Sequence, residues 1–155
     1  MADLFLNTEL AEYAQGLVKW KGQEDKIFKL VLDNKTIKDL IIFLNTDDQL
    51  GEDRINSLGA HLGFYSFATE LISNGRKKAG EPFDLNDTGA FWDSWLVFIG
   101  ASEIIIDANP FKDEDNLFEK YGIDVLGLTD ENLQVLINEA LEQYIRWYQN
   151  NILPR

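Results

Sequence analysis

The chain has 155 residues, of which 45% are hydrophobic, and it carries a formal net charge of −13. That length suits one domain with its own core, so we expect a single domain over 1–155. The chain has no cysteine and no apolar run long enough for a membrane helix, so we expect neither disulfides nor thiolate metal sites nor membrane contact. Its average field repels duplex DNA, and we expect no sequence-specific nucleic-acid binding. The first residues show no basic region before an apolar core, so no secretory signal is expected.

The first part of the chain, 1–45, predicts helices. Apolar residues fall on one face over 7–20, with Asn7 or Thr8 as the candidate N-cap. Over 24–44 they recur in the order i, i+1, i+4, i+5, interrupted by "DNK", and this spacing is helical. We therefore expect a helix over the first stretch and one or two helices over the second.

The middle part, 46–90, is rich in glycine, asparagine, aspartate and serine, and it predicts loops. The sequence "FATELISN", 67–74, predicts one short helical turn within it. The sequence "GRKKAGEP", 75–82, predicts an exposed basic loop. Its candidate interface residues are Arg76, Lys77 and Lys78. In a large assembly this basic patch could meet an acidic neighbour or DNA.

The residues Asp87, Thr88 and Gly89 predict a structural turn at the end of the middle part. An aspartate side chain can close an Asx-turn, and a glycine can take the positive φ that other residues avoid. We therefore expect the chain to reverse its direction here before it enters a strand.

Two runs rich in valine, isoleucine, phenylalanine and tryptophan, 92–99 and 103–108, predict a β-hairpin. A half-buried strand alternates apolar and polar residues, but the first run is mostly apolar on both faces. One face carries Trp92, Ser94, Leu96 and Phe98, and the other carries Asp93, Trp95, Val97 and Ile99. Either the protein's own helices cover both faces, or one face is buried against another subunit. The candidate interface residues are Trp92, Trp95, Leu96 and Phe98.

The last part of the chain, 91–155, ends in a predicted helix over 130–150, with Thr129 as its N-cap. Its apolar residues form one stripe at helical spacing: Leu133, Leu136, Ile137, Ala140, Leu141, Tyr144, Ile145 and Tyr148. We expect this stripe to cover one face of the hairpin through Leu133, Ile137 and Leu141. The whole pattern predicts an α+β fold with N-terminal helices, a central β-hairpin or small antiparallel sheet, and a long C-terminal amphipathic helix.

Residues able to catalyse a reaction or bind a metal form no recognisable pattern. The chain has a single histidine, His61, and so lacks the second histidine of the usual zinc sites. Its carboxylates cluster at 47–53 and 113–115 without the spacing of a calcium loop, and we interpret both clusters as solvated loops. We find neither a nucleophile with a recognisable base nor a phosphate-binding loop. We therefore predict no enzymatic activity, no metal and no cofactor.

Two motifs in a set order resemble a known group of proteins. The sequence "LNDTGAFWDSW" leads into the predicted hairpin, and "YGIDVLGLTDENLQVLINEALEQYI" follows it. This order resembles the bacteriophage tail-completion and virion-morphogenesis families, which join head to tail. The matching residues are Asp87, Thr88, Gly89, Ser94, Leu126, Gly127, Leu128, Thr129, Asp130 and Glu131. The chain is also similar to uncharacterised proteins of Bacteroidetes phages, in which "DTG-x-F" and "KYG-x-D-x-LGLT" recur.

The resemblance implies a non-enzymatic structural protein of the head–tail connector, neck or tail of a phage virion. It implies a homo-oligomeric ring whose neighbours are portal, neck or tail subunits, and which is assembled in the host cytoplasm. Short strands that are apolar on both faces suit such a ring, because each subunit's sheet packs on the next. The alternative is an acidic inhibitor or DNA mimic that binds a host factor. That alternative predicts a compact monomer or dimer with an acidic face and no large apolar patch.

Overall fold

The computed structural model describes residues 9–154. Three α-helices open this part of the chain: α1 (Glu9–Trp20), α2 (Glu24–Leu32) and α3 (Lys35–Phe43). Asn34 separates α2 from α3, because its side chain accepts a hydrogen bond from the amide of Ile37 and so caps α3. Both predicted helical stretches are confirmed, and the second contains two helices. The candidate caps Asn7 and Thr8 lie outside the described residues.

A π-helix continues α3 over Leu44–Asp53. π-Helices are rare and mostly limited to a single turn, so local sequence preference does not explain one of 10 residues. Three polar side chains on it, those of Asn45, Thr46 and Gln49, are buried. The prediction of a loop is therefore wrong for this segment, because distant parts of the chain supply partners for Asn45 and Gln49, and the carbonyl oxygen of Ile42 supplies one for Thr46.

Residues 57–90 form an excursion from the core in which no residue is buried. The excursion contains one short helix, α4 (Phe67–Ile72), which begins after its N-cap Ser66. The predicted helical turn is thus confirmed. Phe64 and Pro82 are paired in an isolated antiparallel bridge, so the excursion folds back on itself.

A short helix and an antiparallel hairpin follow the excursion: α5 (Ala90–Asp93), β1 (Leu96–Ile99) and β2 (Ile104–Asp107). The predicted hairpin is confirmed, but its first strand begins at Leu96 rather than at Trp92. Gly89, with a φ of 86°, precedes α5, and the Ser94 hydroxyl donates to the carbonyl oxygen of Phe91 at the end of that helix. A helical turn therefore takes the place of the first residues of the predicted strand.

The remainder of the described chain forms β3 (Phe111–Lys112), β4 (Asp115–Asn116), α6 (Leu117–Tyr121), a 3-10 helix (Ile123–Val125) and α7 (Asp130–Asn151). β3 and β4 pair with each other in antiparallel orientation. α7 is the predicted C-terminal helix, and its N-cap Thr129 accepts a hydrogen bond from the amide of Asn132 at 3.3 Å. Asp130 and Glu131 lie in its first turn, where the helix dipole favours negative charge. The predicted α+β fold is confirmed.

Two clusters of buried side chains form the core. The first joins α2, α3, the π-helix, β1 and α7 through Val31, Leu32, Ile37, Ile41, Leu44, Val97, Ile99 and Leu136. The second joins the π-helix, α5, α6 and the 3-10 helix through Leu50, Phe91, Trp95, Ala108, Leu117 and Val125. Ile42 and Ile106 pack against both clusters, so the core is continuous through these two residues. One face of the hairpin is thereby fixed on the helices.

Candidate protein–protein interface

The first strand of the hairpin alternates in burial, although it does not alternate in hydrophobicity. Val97 and Ile99 are buried, whereas Leu96 and Phe98 are each 55% exposed. Ile105 lies opposite Phe98 in the strand register, on the same side of the sheet, and is 47% exposed. We call the surface formed by Leu96, Phe98 and Ile105 the outer hairpin face. The residues that the structure describes bury only the inner face of the hairpin.

The inner face of the hairpin packs against α3, in the same cluster as Leu136 of α7. Leu136 is the buried residue of α7 in the cluster that contains Val97 and Ile99, whereas the residues predicted to meet the hairpin, Leu133, Ile137 and Leu141, are between 43% and 54% exposed. The apolar face of α7 is wider than the part of the helix that packs against the core. Only its edge with Leu136 and Ala140 turns towards the core.

Neither candidate tryptophan lies on the outer hairpin face. Trp95 precedes β1 and is only 4% exposed, with its ring centroid 5.8 Å from that of Phe91. Trp92 lies in α5, and its indole nitrogen donates to the carbonyl oxygen of Asp84 at 3.2 Å. Its ring also lies so close to Gly51 that a Cβ atom there would come within 2.8 Å of it. Of the candidate interface residues, Trp95 is therefore buried in the core, and Trp92 lies in the helical turn that replaces the first residues of the predicted strand.

Lys77 does not belong to an exposed loop as predicted, because its side chain is only 13% exposed. Its Nζ donates to both carboxylate oxygens of Asp84, at 2.7 and 2.6 Å, and to the carbonyl oxygen of Asn86 at 2.5 Å. The hydroxyl of Tyr65 also donates to Asp84, at 2.6 Å. The Tyr65 bond ties the first half of the excursion to its end, and the Lys77 bonds hold Asp84 and Asn86 in place within the second half.

Hydrogen bonds keep Asp84 charged in spite of its burial. Burial raises the pKa of this carboxyl, but hydrogen bonds from Lys77, Tyr65 and the amide of Asn86 outweigh it and hold the pKa below its ordinary value. Burial, together with the hydrogen bond to Asp84, raises the pKa of Tyr65, so the phenol remains a neutral donor. The arrangement suits a permanent ion pair that closes the excursion.

Arg76 and Lys78 are each balanced by an acidic neighbour. A terminal guanidinium nitrogen of Arg76 lies 3.9 Å from Asp87, and the Nζ of Lys78 lies 3.5 Å from Glu70. With Lys77 bound to Asp84, the three basic residues have three different acidic partners. Arg76 and Lys78 nevertheless remain 64% and 56% exposed, so an acidic neighbour or DNA at the basic loop stays a prediction.

The predicted turn before the hairpin is present, but its hydrogen bonds differ from those expected. Gly89 has the predicted positive φ, 86°. The Thr88 hydroxyl accepts a hydrogen bond from the amide of Ala90 at 3.3 Å. The Asp87 carboxylate instead accepts from the Nζ of Lys112 at 2.6 Å, which lowers the pKa of Asp87. Asp87 thus links the turn to β3.

Side chains of the π-helix hold the turn between Gly127 and Thr129, an interaction that sequence reasoning missed. Asn45 accepts a hydrogen bond from the amide of Gly127 at 3.0 Å. Gln49 accepts one from the amide of Thr129 at 2.8 Å and donates one to the carbonyl oxygen of Gly127 at 3.0 Å. Asn132 donates to Gln49 at 3.2 Å. We call Asn45, Gln49 and Asn132, all of them buried, the polar clamp.

An open cleft of about 850 Å³ lies between the π-helix and the start of α7. Its lining includes five acidic residues: Asp48, Glu52, Asp53, Asp130 and Glu131. His61 does not line the cleft, and its Nδ1 lies 2.7 Å from the carbonyl oxygen of Arg54. Within residues 9–154, no three or more histidine, aspartate and glutamate side chains are grouped so that they could hold a metal ion. The cleft is therefore an acidic surface.

Comparison with known proteins gives no match to this chain among family models, curated proteins or solved structures. None of the helices in the described part of the chain has the length and apolar content needed to cross a membrane. The fold and the site together define an acidic α+β protein with a half-exposed apolar face on a two-stranded hairpin.

Proposed function

We propose that this protein is a non-enzymatic assembly subunit that binds another protein through the outer hairpin face. The observation that carries the proposal is the exposure of Leu96, Phe98 and Ile105 on one side of a short hairpin. About half of each side chain is exposed, which amounts to about 300 Å² of apolar surface. Exposed apolar patches of this size on soluble proteins often mark an interaction site.

The architecture of the hairpin gives a second reason for an outer partner. Among the described residues, β1 and β2 form a sheet of only two strands. Such a sheet is marginally stable in water unless it packs against something else. The core supports its inner face, and a partner on the outer face would remove Phe98 and Ile105 from water as well.

The partner we propose is a further copy of this chain, in an oligomeric ring of the head–tail connector, neck or tail of a phage virion. The sequence resemblance supports this setting, because a turn with Gly89, a hairpin and a turn with Gly127 occur in the order typical of those families. Portal, neck or tail subunits would then be the other neighbours, and assembly would take place in the host cytoplasm.

The acidic cleft favours a second candidate function, that of an acidic inhibitor or DNA mimic. Such a protein would present the five carboxylates of the cleft lining to a basic surface of a host factor. Its binding would depend steeply on salt, and it would not need the outer hairpin face. The two candidates therefore make opposite predictions for a change confined to that face.

The experiment compares Phe98→Ser with Phe111→Ser, measured by sedimentation velocity over a range of protein concentrations. Both phenylalanines are largely exposed residues of short strands, at 55% and 68%, but only Phe98 lies on the outer hairpin face. We expect the unmodified protein and Phe111→Ser to associate equally. We expect Phe98→Ser to associate at least about thirtyfold more weakly, which is typical for the loss of an aromatic interface anchor.

Thermal melting at a concentration where every variant is monomeric serves as the folding control. Because the Phe98 side chain faces outward, the melting temperature of Phe98→Ser should lie close to that of Phe111→Ser. A protein that stays monomeric at the highest concentration, or equal association of the two variants, would refute the proposed role of the outer hairpin face.

A further inference from the structure

A second apolar surface of comparable size lies on α7. Its residues recur at intervals of three, four or one along the helix and are between 43% and 54% exposed: Leu133, Ile137, Leu141, Tyr144 and Ile145. We call this surface the α7 stripe. It offers about 450 Å² of apolar side chain, which lies within the range of the largest patch on a typical monomer.

The outer hairpin face and the α7 stripe lie on different sides of the same core. α3 packs against both β1 and α7, and Val97 and Leu136 belong to one buried cluster. The outer hairpin face and the α7 stripe are the surfaces that β1 and α7 turn away from that cluster. One copy of the protein therefore cannot cover its own outer hairpin face with its own α7 stripe.

We propose that the α7 stripe of one copy receives the outer hairpin face of the next copy. This inference rests on the proposed function and names the surface that the hairpin binds. A strand of four residues spans about 13 Å, and the stripe from Leu133 to Ile145 spans about 18 Å, so the stripe is long enough to cover the whole strand. A helix packed across a small sheet is also one of the standard ways in which apolar faces are covered.

The apolar side chains of one such contact would remove about 750 Å² from water in total. A stable interface needs about 1,200 Å² or more, and roughly three-fifths of a typical interface is apolar. The contact therefore reaches the required size once the polar rim around both surfaces is included.

Contacts between like surfaces are less favourable. Asp107 lies opposite Leu96 on the outer side of the hairpin, so two outer hairpin faces packed together would bring two carboxylates into one apolar contact. The five residues of the α7 stripe include no charged group, and Tyr144 offers a phenol that can donate to Asp107. A hairpin–stripe contact also covers both apolar surfaces with one interface, which forms a ring if its rotation closes.

Complementation between two variants tests the inference directly. Phe98→Ser has a defective outer hairpin face and an intact α7 stripe, whereas Leu141→Ser has the reverse. We expect each variant alone to be monomeric under conditions where the unmodified protein assembles. We expect an equimolar mixture of the two to form a one-to-one dimer and nothing larger, because only one intact pair of surfaces remains. Sedimentation velocity measures all of these species.

Two further variants keep the test independent of folding. Ile137→Ser alters the same stripe and replaces Leu141→Ser if that variant melts at a lower temperature than the unmodified protein. Ile72→Ser is the matched control, since Ile72 is 84% exposed and belongs to neither surface, and it should assemble normally.

The outcomes separate this inference from the proposed function. If Phe98→Ser is monomeric while Leu141→Ser and Ile137→Ser assemble normally, the inference is overturned and the role of the outer hairpin face stands. If both defective variants are monomeric but their mixture does not dimerise, the intact hairpin face does not bind the intact stripe and the inference is again overturned. If like surfaces bound each other, a variant that keeps its self-binding surface intact would instead still dimerise alone, which would also overturn it. If the unmodified protein does not associate at all, both fail.

Discussion

Replacing Lys77 with methionine should open the excursion without unfolding the core. The substitution removes three hydrogen bonds, two to Asp84 and one to the carbonyl oxygen of Asn86. Removal of one partner from a fully buried ion pair costs about 3–5 kcal/mol. Both side chains here are 13% exposed, and Asp84 keeps its hydrogen bonds from Tyr65 and from the amide of Asn86. We therefore expect a smaller loss, about 2 kcal/mol.

The loss should fall mainly on the excursion, because none of its residues is buried and only Leu62 and Leu85 pack against the core. Amide hydrogen exchange measures it best, at the amides of Tyr65 and Phe83, which donate to the carbonyl oxygens of Glu81 and Gly63. A loss of about 2 kcal/mol accelerates their exchange about thirtyfold. Exchange at the amide of Ile41, in the buried part of α3, should not change.

Lys78→Met is the matched control for Lys77→Met. The two lysines are adjacent in sequence, but the Lys78 side chain is 56% exposed and lies 3.5 Å from Glu70. Exposed ion pairs contribute about 1 kcal/mol or less, so this variant should exchange nearly as the unmodified protein does. Equal exchange rates at Tyr65 in the two variants would refute the reasoning that the Lys77–Asp84 pair holds the excursion closed.

Three further predictions concern stability. Gln49→Met should lower the free energy of unfolding, measured in urea, by about 3 kcal/mol, because it leaves the amide of Thr129 and the carbonyl oxygen of Gly127 without partners. The exposed control Gln134→Met should change the free energy of unfolding by less than about 0.5 kcal/mol. Gly89→Val should lower the melting temperature more than Gly89→Asn, because asparagine tolerates a positive φ and valine does not; equal melting temperatures would contradict the turn assignment. Asp84 has a folded-state pKa below its unfolded value near 3.9, so its contribution is present above that pH and disappears as the pH falls through the folded pKa. Asp84→Asn should therefore show a shallower loss of stability in acid titrations than the unmodified protein.

The sequence predicted correctly those helices, strands and turns that depend on residues close together in the chain. The apolar spacing of α2, α3 and α7 and the cap at Thr129 follow from adjacent residues, and all are present. The two strands of the hairpin were predicted from their runs of β-branched residues, which favour strands. The glycine turn at Gly89 was also predictable, because a positive φ depends on that residue itself.

One error came from interactions between distant parts of the chain. The π-helix was predicted as a loop because its polar residues favour turns. Hydrogen bonds to Gly127, Thr129 and Asn132 satisfy the buried side chains of Asn45 and Gln49, and the sequence does not show these distant partners. The low exposure of Lys77 has a shorter-range cause, since its partner Asp84 is only seven residues away, and it was missed because the run of basic residues predicted an exposed loop.

The interface residues show both the value and the limit of the apolar pattern. Leu96 and Phe98 were predicted as candidates from the two-sided apolar pattern of the hairpin, and they are exposed. Trp92 and Trp95 were included through the same count along a strand. That count places Trp95 correctly on the buried face of Val97 and Ile99, but it fails for Trp92, which lies in the helical turn of α5. A sequence pattern of period two thus identified the surface but not its boundary.

The polar clamp has a consequence for the order in which this chain folds as it is synthesised. Its bonds join residues 78 to 83 positions apart, and contacts of such long range form slowly. A growing chain that has not yet reached Gly127 contains the whole π-helix sequence but none of the partners from the turn that hold it. We expect that sequence not to form the π-helix until the last part of the chain leaves the ribosome. Fragments that stop before Gly127 should therefore lack the π-helix as well as α7.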